Sequence, residues 1–211
     1  MRAVLRWWML VVLSLAAVVP VLVAPTAGAA PGQSVLVLGD SLSVGDDQFG
    51  GLVSKLTGAG FAGVEVDALV GRSTRLGIKK LTERPSAPEV LIIALGTNDV
   101  ALGRSAESFR SYVEKAVAFA GPDRMVVWVD ITIARNDADV ALAAQYNQVL
   151  AEEAQQNSNL VVARWSGRQK PEQVANDKVH LSPEGYRRRA TFLAEVSWFF
   201  STLQQVQRAG R

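Results

Sequence analysis

The chain has 211 residues, one histidine and no cysteine, with 22 basic against 20 acidic side chains. Without cysteine there is no disulfide framework and no thiolate metal cage, and one histidine leaves too few of the usual ligands for zinc. The near-balanced charge gives no basis for a nucleic-acid partner, and nothing in the composition calls for a cofactor.

Residues 1–30 read as a targeting segment. Arg2 and Arg6 precede an apolar run over residues 7–23, interrupted only by Ser14 and Pro20, and Ala27-Gly28-Ala29-Ala30 follows. A positive start, an apolar run and a small-residue end are the parts of a secretory signal. An uncleaved anchor is the alternative, because the run approaches the length that spans a bilayer; Pro20 and the small residues favour cleavage. Either way the remainder is expected to be secreted or held at the cell surface, with membrane contact only through an uncleaved leader. Residues 1–30 contain Arg2 and Arg6 and no acid, so the remainder carries 20 basic and 20 acidic residues. Residues 31–211 suit one domain, expected to be a monomer.

Along that domain, apolar β-type runs alternate with helix-period segments. Strands are expected at 34–38, 64–69, 90–95, 125–130 and 160–163. Helices are expected at 48–56, 75–82, 106–120, 140–156 and 183–205, the last with Pro183 near its first turn. Residues 90–95 are apolar and β-branched with no alternation, as in a parallel strand buried on both faces. Trp128 and Trp198, inside a strand and a helix, read as core, and Arg187-Arg188-Arg189 reads as a solvated helix face. The alternation predicts an α/β fold: a three-layer α/β/α sandwich around a mainly parallel, flavodoxin-like sheet of about five strands. The longest irregular stretch, 164–179, runs directly into Asp177 and His180, and loops of that length are uncommon unless functional.

The chemistry-bearing residues sort to one edge of such a sheet. Ser41 follows the first strand, Gly71 the second and Asn98 the third, while Asp177 and His180 come from the loop after the fifth. In open parallel sheets ligands bind beyond the carboxyl ends of the strands. Histidine is the side-chain type whose charge changes near neutrality, so the one histidine is the natural general base. A serine hydroxyl needs such a base, and the base needs an orienting acid. Asp177, three residues before His180, meets that need if the segment forms a helix-like turn. Each motif alone is an ordinary turn or cap; their joint placement points to catalysis.

Four blocks carry a resemblance to the GDSL esterase, or SGNH hydrolase, family: Gly39-Asp40-Ser41-Leu42-Ser43, Val70-Gly71-Arg72-Ser73, Gly96-Thr97-Asn98-Asp99 and Asp177-Lys178-Val179-His180-Leu181-Ser182-Pro183. The resemblance implies that Ser41 is the nucleophile, His180 the base and Asp177 its orienter. It also implies an oxyanion hole of the Ser41 and Gly71 backbone N–H groups and the Asn98 side-chain amide. Gly71 suits that role because a backbone donor there meets substrate with no β-carbon in the way.

The substrate is less sharply marked. The segments around Val70-Gly71-Arg72-Ser73, Ile131-Thr132-Ile133-Ala134-Arg135 and Tyr146-Asn147 resemble exported bacterial peptidoglycan O-acetyltransferase and acetylesterase domains. That resemblance implies a short acyl group, acetyl above all, removed from or transferred to cell-wall glycans through an acyl-serine. The transferases are usually fused to a membrane domain that supplies the donor, which favours hydrolysis here. The alternatives are a secreted lipase, lysophospholipase or thioesterase for longer chains, and an inactive wall-binding module. Arg72 is either a candidate substrate contact or a cap of the short helix that follows it, and Trp165 is either an aromatic face for a sugar ring or a side chain packing its loop onto the domain.

Overall fold

The computed structural model describes residues 32–210, and the targeting segment expected at 1–30 lies outside these. Five strands, β1 Ser34–Gly39, β2 Gly63–Ala68, β3 Val90–Ala94, β4 Met125–Val129 and β5 Leu160–Ala163, form one sheet in the order β2-β1-β3-β4-β5. Every pairing is parallel. Gly39 stands opposite both Ala68 and Ala94, so the carboxyl ends of the first three strands finish level. That shared edge is where Ser41, Gly71 and Asn98 emerge.

The helices are α1 Ser41–Gln48, α2 Leu52–Gly58, α3 Thr74–Thr82, α4 Thr97–Ala101, α5 Ala106–Ala120, α6 Asp137–Gln156 and α7 Pro183–Ala209. Successive strand residues face opposite ways. Leu36, Leu38, Leu91, Ile93 and Trp128 join the core under α3, α5 and α6. Val35, Val37, Ile92 and Val127 join the core under α1, α2 and α7. The chain is thus the three-layer sandwich with a fully parallel sheet. A side chain such as Leu36 or Ile92, removed completely from water, contributes about 1.5–3 kcal/mol.

Three local departures from the sequence pattern matter. The helix expected at 48–56 is two helices, because the chain breaks at Gly50-Gly51: Gly51 adopts φ 64°, and a β-carbon on Gly50 would lie 2.7 Å from the Tyr186 carbonyl oxygen. The first of them, α1, starts at Ser41 itself, capped by Asp40. The short α4 is too brief for an apolar period to reveal, and it places Asn98 in its first turn. Finally, Arg189 is not on a solvated face. Arg187 and Arg188 are exposed and pair with Glu184, but one residue later the helix has turned inward. Arg189 is buried against Asp46 of α1. Trp128 is fully buried, whereas Trp198 is only half-buried.

Candidate active site

Ser41 is the first residue of α1, immediately past the end of β1. Asp40 caps the helix, its Oδ1 accepting the Leu42 N–H at 2.9 Å, the usual device for satisfying a free helix-end donor. The turn is tight: a β-carbon on Gly39 would sit 2.0 Å from the Ser43 hydroxyl oxygen. Glycine at position 39 therefore lets the strand pass directly into the helix that carries Ser41.

His180 completes a hydrogen-bonded chain. Its Nε2 lies 2.9 Å from Ser41 Oγ, and its Nδ1 lies 2.6 Å from Asp177 Oδ2. The hydrogen bond from the His180 ring, helped by the Val179 and His180 backbone N–H groups, pulls the Asp177 carboxyl down to about 2. An ionised carboxylate can only accept, so Nδ1 carries the imidazole proton and Nε2 is left to accept from the serine hydroxyl. Both side chains are open to solvent, 51% for Asp177 and 42% for His180.

The segment holding them is not the helix-like turn expected from the three-residue spacing. Asp177 Oδ1 accepts both the Val179 and His180 N–H groups at 3.0 and 2.9 Å, and Lys178 between them takes φ 62°. This is a local carboxylate-to-backbone turn. One Asp177 oxygen shapes the turn while the other meets the imidazole. Outside it, Ala175 N–H donates to His180 O, Ser182 N–H to Gln173 O and Ala134 N–H to Lys178 O, at 2.8, 2.8 and 3.1 Å. The long loop is therefore ordered by its own backbone bonds.

Gly71 sits in a turn after β2 with φ 75° and open space where a β-carbon would be. Leu69 N–H donates to Gly39 O at 3.2 Å, and Arg72 N–H to Leu69 O at 3.1 Å, which pins the turn beside the end of β1. Asn98 Nδ2 lies 3.2 Å from both Asp40 Oδ2 and the Arg72 carbonyl oxygen. The amide thus bridges the Ser41 cap and the Gly71 turn. Asp99 ties the same region from below, accepting the Thr74 N–H and hydroxyl at 2.6 and 2.7 Å.

Two expected substrate contacts lie elsewhere. Arg72 is buried, its guanidinium donating to the Asp67 carbonyl and carboxylate at 2.5 and 2.7 Å, so it braces the end of β2. Trp165 is only 2% exposed, its Nε1 donates to Gln169 Oε1 at 2.8 Å, and it packs beside Phe192. It presents no open face to a sugar. Asp40 is more than the cap of α1. The structure adds its contact with Asn98, and burial pushes its carboxyl up to about 6 against the opposing pull of its hydrogen bonds and of Arg189.

Residues 37–188 match the model of the GDSL-like lipase/acylhydrolase family. The chain belongs to this family. It is accordingly a serine ester hydrolase. No curated protein matches it in sequence. Among solved structures, the C-terminal catalytic domain of Streptococcus pneumoniae peptidoglycan O-acetyltransferase A, carrying a methylsulfonyl adduct, is 17% identical with a TM-score of 0.63. The match covers 84% of this chain and 96% of that one. A lipolytic G-D-S-L family member from Veillonella parvula is 23% identical with a TM-score of 0.62, covering 77% and 97%. A family 3 carbohydrate esterase from Clostridium thermocellum is 16% identical with a TM-score of 0.63, covering 78% and 94%. At these identities the likeness is one of fold.

Proposed function

We propose that this protein is an exported serine esterase that removes a short acyl group, acetyl above all, from hydroxyls of cell-wall glycans. The observation that carries the chemistry is the unbroken Ser41–His180–Asp177 chain, at 2.9 and 2.6 Å. Ser41 Oγ attacks the ester carbonyl while its proton passes to His180 Nε2. The imidazolium returns that proton to the departing alkoxide, leaving an acyl-serine. Water then repeats the sequence and releases the acid. Asp177 holds the ring and stabilises its charged form. The oxyanion forms beside the Gly71 turn and Asn98, and backbone N–H groups of Ser41 and Gly71 with the Asn98 amide are its donors. Both Asn98 amide hydrogens face acceptors in the free enzyme, so the developing oxyanion takes one from Asp40 or from the Arg72 carbonyl.

Export is supported by the composition of residues 1–30. The short acyl group and the glycan are supported by the resemblance carried by residues 70–73, 131–135 and 146–147, and by the fold shared with an O-acetyltransferase domain and a carbohydrate esterase. The test is turnover of p-nitrophenyl esters from acetyl to palmitoyl by the protein and its Ser41→Ala variant. Ser41-dependent turnover falling steeply beyond short chains supports the reading. A preference for palmitoyl points instead to a secreted lipase or thioesterase, and no Ser41-dependent turnover returns the fold to a binding role.

A further inference from the structure

The oxyanion donors come from separate parts of the chain. Ser41 opens α1, Gly71 lies in the turn between β2 and α3, and Asn98 lies in the first turn of α4. Donors of this kind work only when they are held in place before the charge develops. A displacement of about 1 Å can cost about 10²-fold in rate. The Gly71 turn is fixed to the end of β1 by the bond from Leu69 N–H to Gly39 O at 3.2 Å. Its register with Asn98 needs a separate device.

Among the described residues, two sets of hydrogen bonds join that turn and the start of α3 to α4. One is made by the Asn98 amide itself, whose Nδ2 lies 3.2 Å from the Arg72 carbonyl oxygen. The developing oxyanion competes for that same amide, so this link weakens when alignment matters most. The other belongs to Asp99. Its Oδ2 accepts the Thr74 N–H at 2.6 Å and the Thr74 hydroxyl at 2.7 Å.

The second link suits a lasting brace. Thr74 is the first residue of α3, three positions after Gly71, and its N–H is a helix-end donor with no acceptor inside its own helix. Asp99 directly follows Asn98, and both Asp99 and Thr74 are almost fully buried. Hydrogen bonds to a carboxylate are the stronger kind, and exclusion of water strengthens them further. The other oxygen, Oδ1, accepts no hydrogen bond among the described residues, but Arg104 Nε stands 3.4 Å away as its charge partner. Asp99 takes no part in the Ser41–His180–Asp177 chain.

We propose, building on the oxyanion hole assigned above, that Asp99 is a positioning residue. Acting through Thr74, it holds the Gly71 turn against Asn98 while the Asn98 amide turns to the oxyanion. The bond it makes is independent of the reacting amide, so it persists through both the acylation and the deacylation steps.

The test is turnover of p-nitrophenyl acetate by variants of Thr74 and Asp99, alone and combined with Asn98→Ala. Thr74→Val keeps the shape and the N–H but removes the hydroxyl bond. Its kcat should fall roughly tenfold, part of the worth of one oxyanion donor, with KM moving about threefold or less. Thr74→Ser restores the hydroxyl and should restore kcat. Asp99→Ala should cost about 10²-fold, and Asp99→Asn, which keeps an acceptor for Thr74, should lie between it and the parent. In an Asn98→Ala background Thr74→Val should cost about threefold or less, because the donor that the brace aligns is gone. Equal losses in the two backgrounds would make the brace merely structural and overturn the proposal. A rise in KM with kcat unchanged would overturn it too. If Asp99→Ala does not fold, the Thr74 variants decide alone. Full kcat in Thr74→Val beside a defective Asn98→Ala sinks the role of Asp99 and leaves the oxyanion hole standing. Full kcat in Asn98→Ala removes the hole and the brace together.

Discussion

Two aspartates, each joined to a basic side chain, flank Ser41, and their surroundings give them opposite properties. Asp177 and His180 meet in the open, about half exposed. Asp46 and Arg189 meet with almost no exposure, joining α1 to α7. In the open pair, hydrogen bonds dominate and the Asp177 carboxyl falls to about 2. In the closed pair, loss of hydration dominates and pushes the Asp46 carboxyl upward despite the Arg189 charge. The open pair is within reach of solvent. The closed pair is structural: it links the helix that begins with Ser41 to the helix that begins three residues after His180. Gly45 allows the two helices to approach, since a β-carbon there would lie 2.2 Å from the Tyr186 ring.

The comparison can be broken most directly at the open pair. Ser41→Ala and His180→Ala should each lower kcat by roughly 10⁴-fold or more, and Asp177→Asn by about 10²–10⁴. Thermal unfolding should barely move in any of the three, because exposed pairs add little to stability. A large drop in Tm for Asp177→Asn would make that pair structural as well. The closed pair should behave in reverse. Removing its cation with Arg189→Ala leaves a buried carboxylate uncompensated and should destabilise the domain by about 3–5 kcal/mol, read by urea unfolding. Replacing both partners, Asp46→Leu with Arg189→Met, should recover much of that loss; no recovery would show that packing rather than charge is lost.

Asn98→Ala is expected to lower kcat about 10²–10³-fold with a smaller change in KM, as for the loss of one oxyanion donor. A change confined to KM would make Asn98 a ground-state contact. The smallest effect is the most diagnostic of burial. Asp40 has a folded-state value of about 6 against an ordinary 3.8. The folded state therefore binds its proton more tightly, and this contribution to stability is full below pH 3.8 and is lost as pH rises through about 6. Asp177, held at about 2, works the other way: its contribution is present above 3.8 and is lost as pH falls toward 2. Tm should thus be highest at mildly acidic pH, and Asp40→Asn should flatten its decline between pH 4 and 7. An unaltered decline would assign it to other groups.

The same contrast explains what could be read in advance. Residues 90–94 were legible as a strand because five consecutive apolar residues, three of them β-branched, suit only a fully buried position in a sheet of this kind. Ser41, Asp177 and His180 were legible because few residue types move protons near neutrality and the parallel topology sends them to one edge. Arg72 and Arg189 were misplaced for one shared reason. An exposed arginine and a buried one are the same letter, and only the location of Asp67 or Asp46 separates them. The break at Gly50-Gly51 did carry a signal, a glycine pair inside an apolar run, and the left-handed Lys178 carried none.

By itself, then, the sequence determined the order of strands and helices, the sandwich they build and the reactive groups at its edge. Apolar periodicity and side-chain chemistry are local properties, already present in neighbouring residues. Tertiary structure alone decided that Asp177 shapes its own turn while reaching His180, that Arg72 is spent on Asp67, and that Asp99 reaches Thr74. These depend on distance and on exclusion of water, which arise only when segments remote in the chain are packed together.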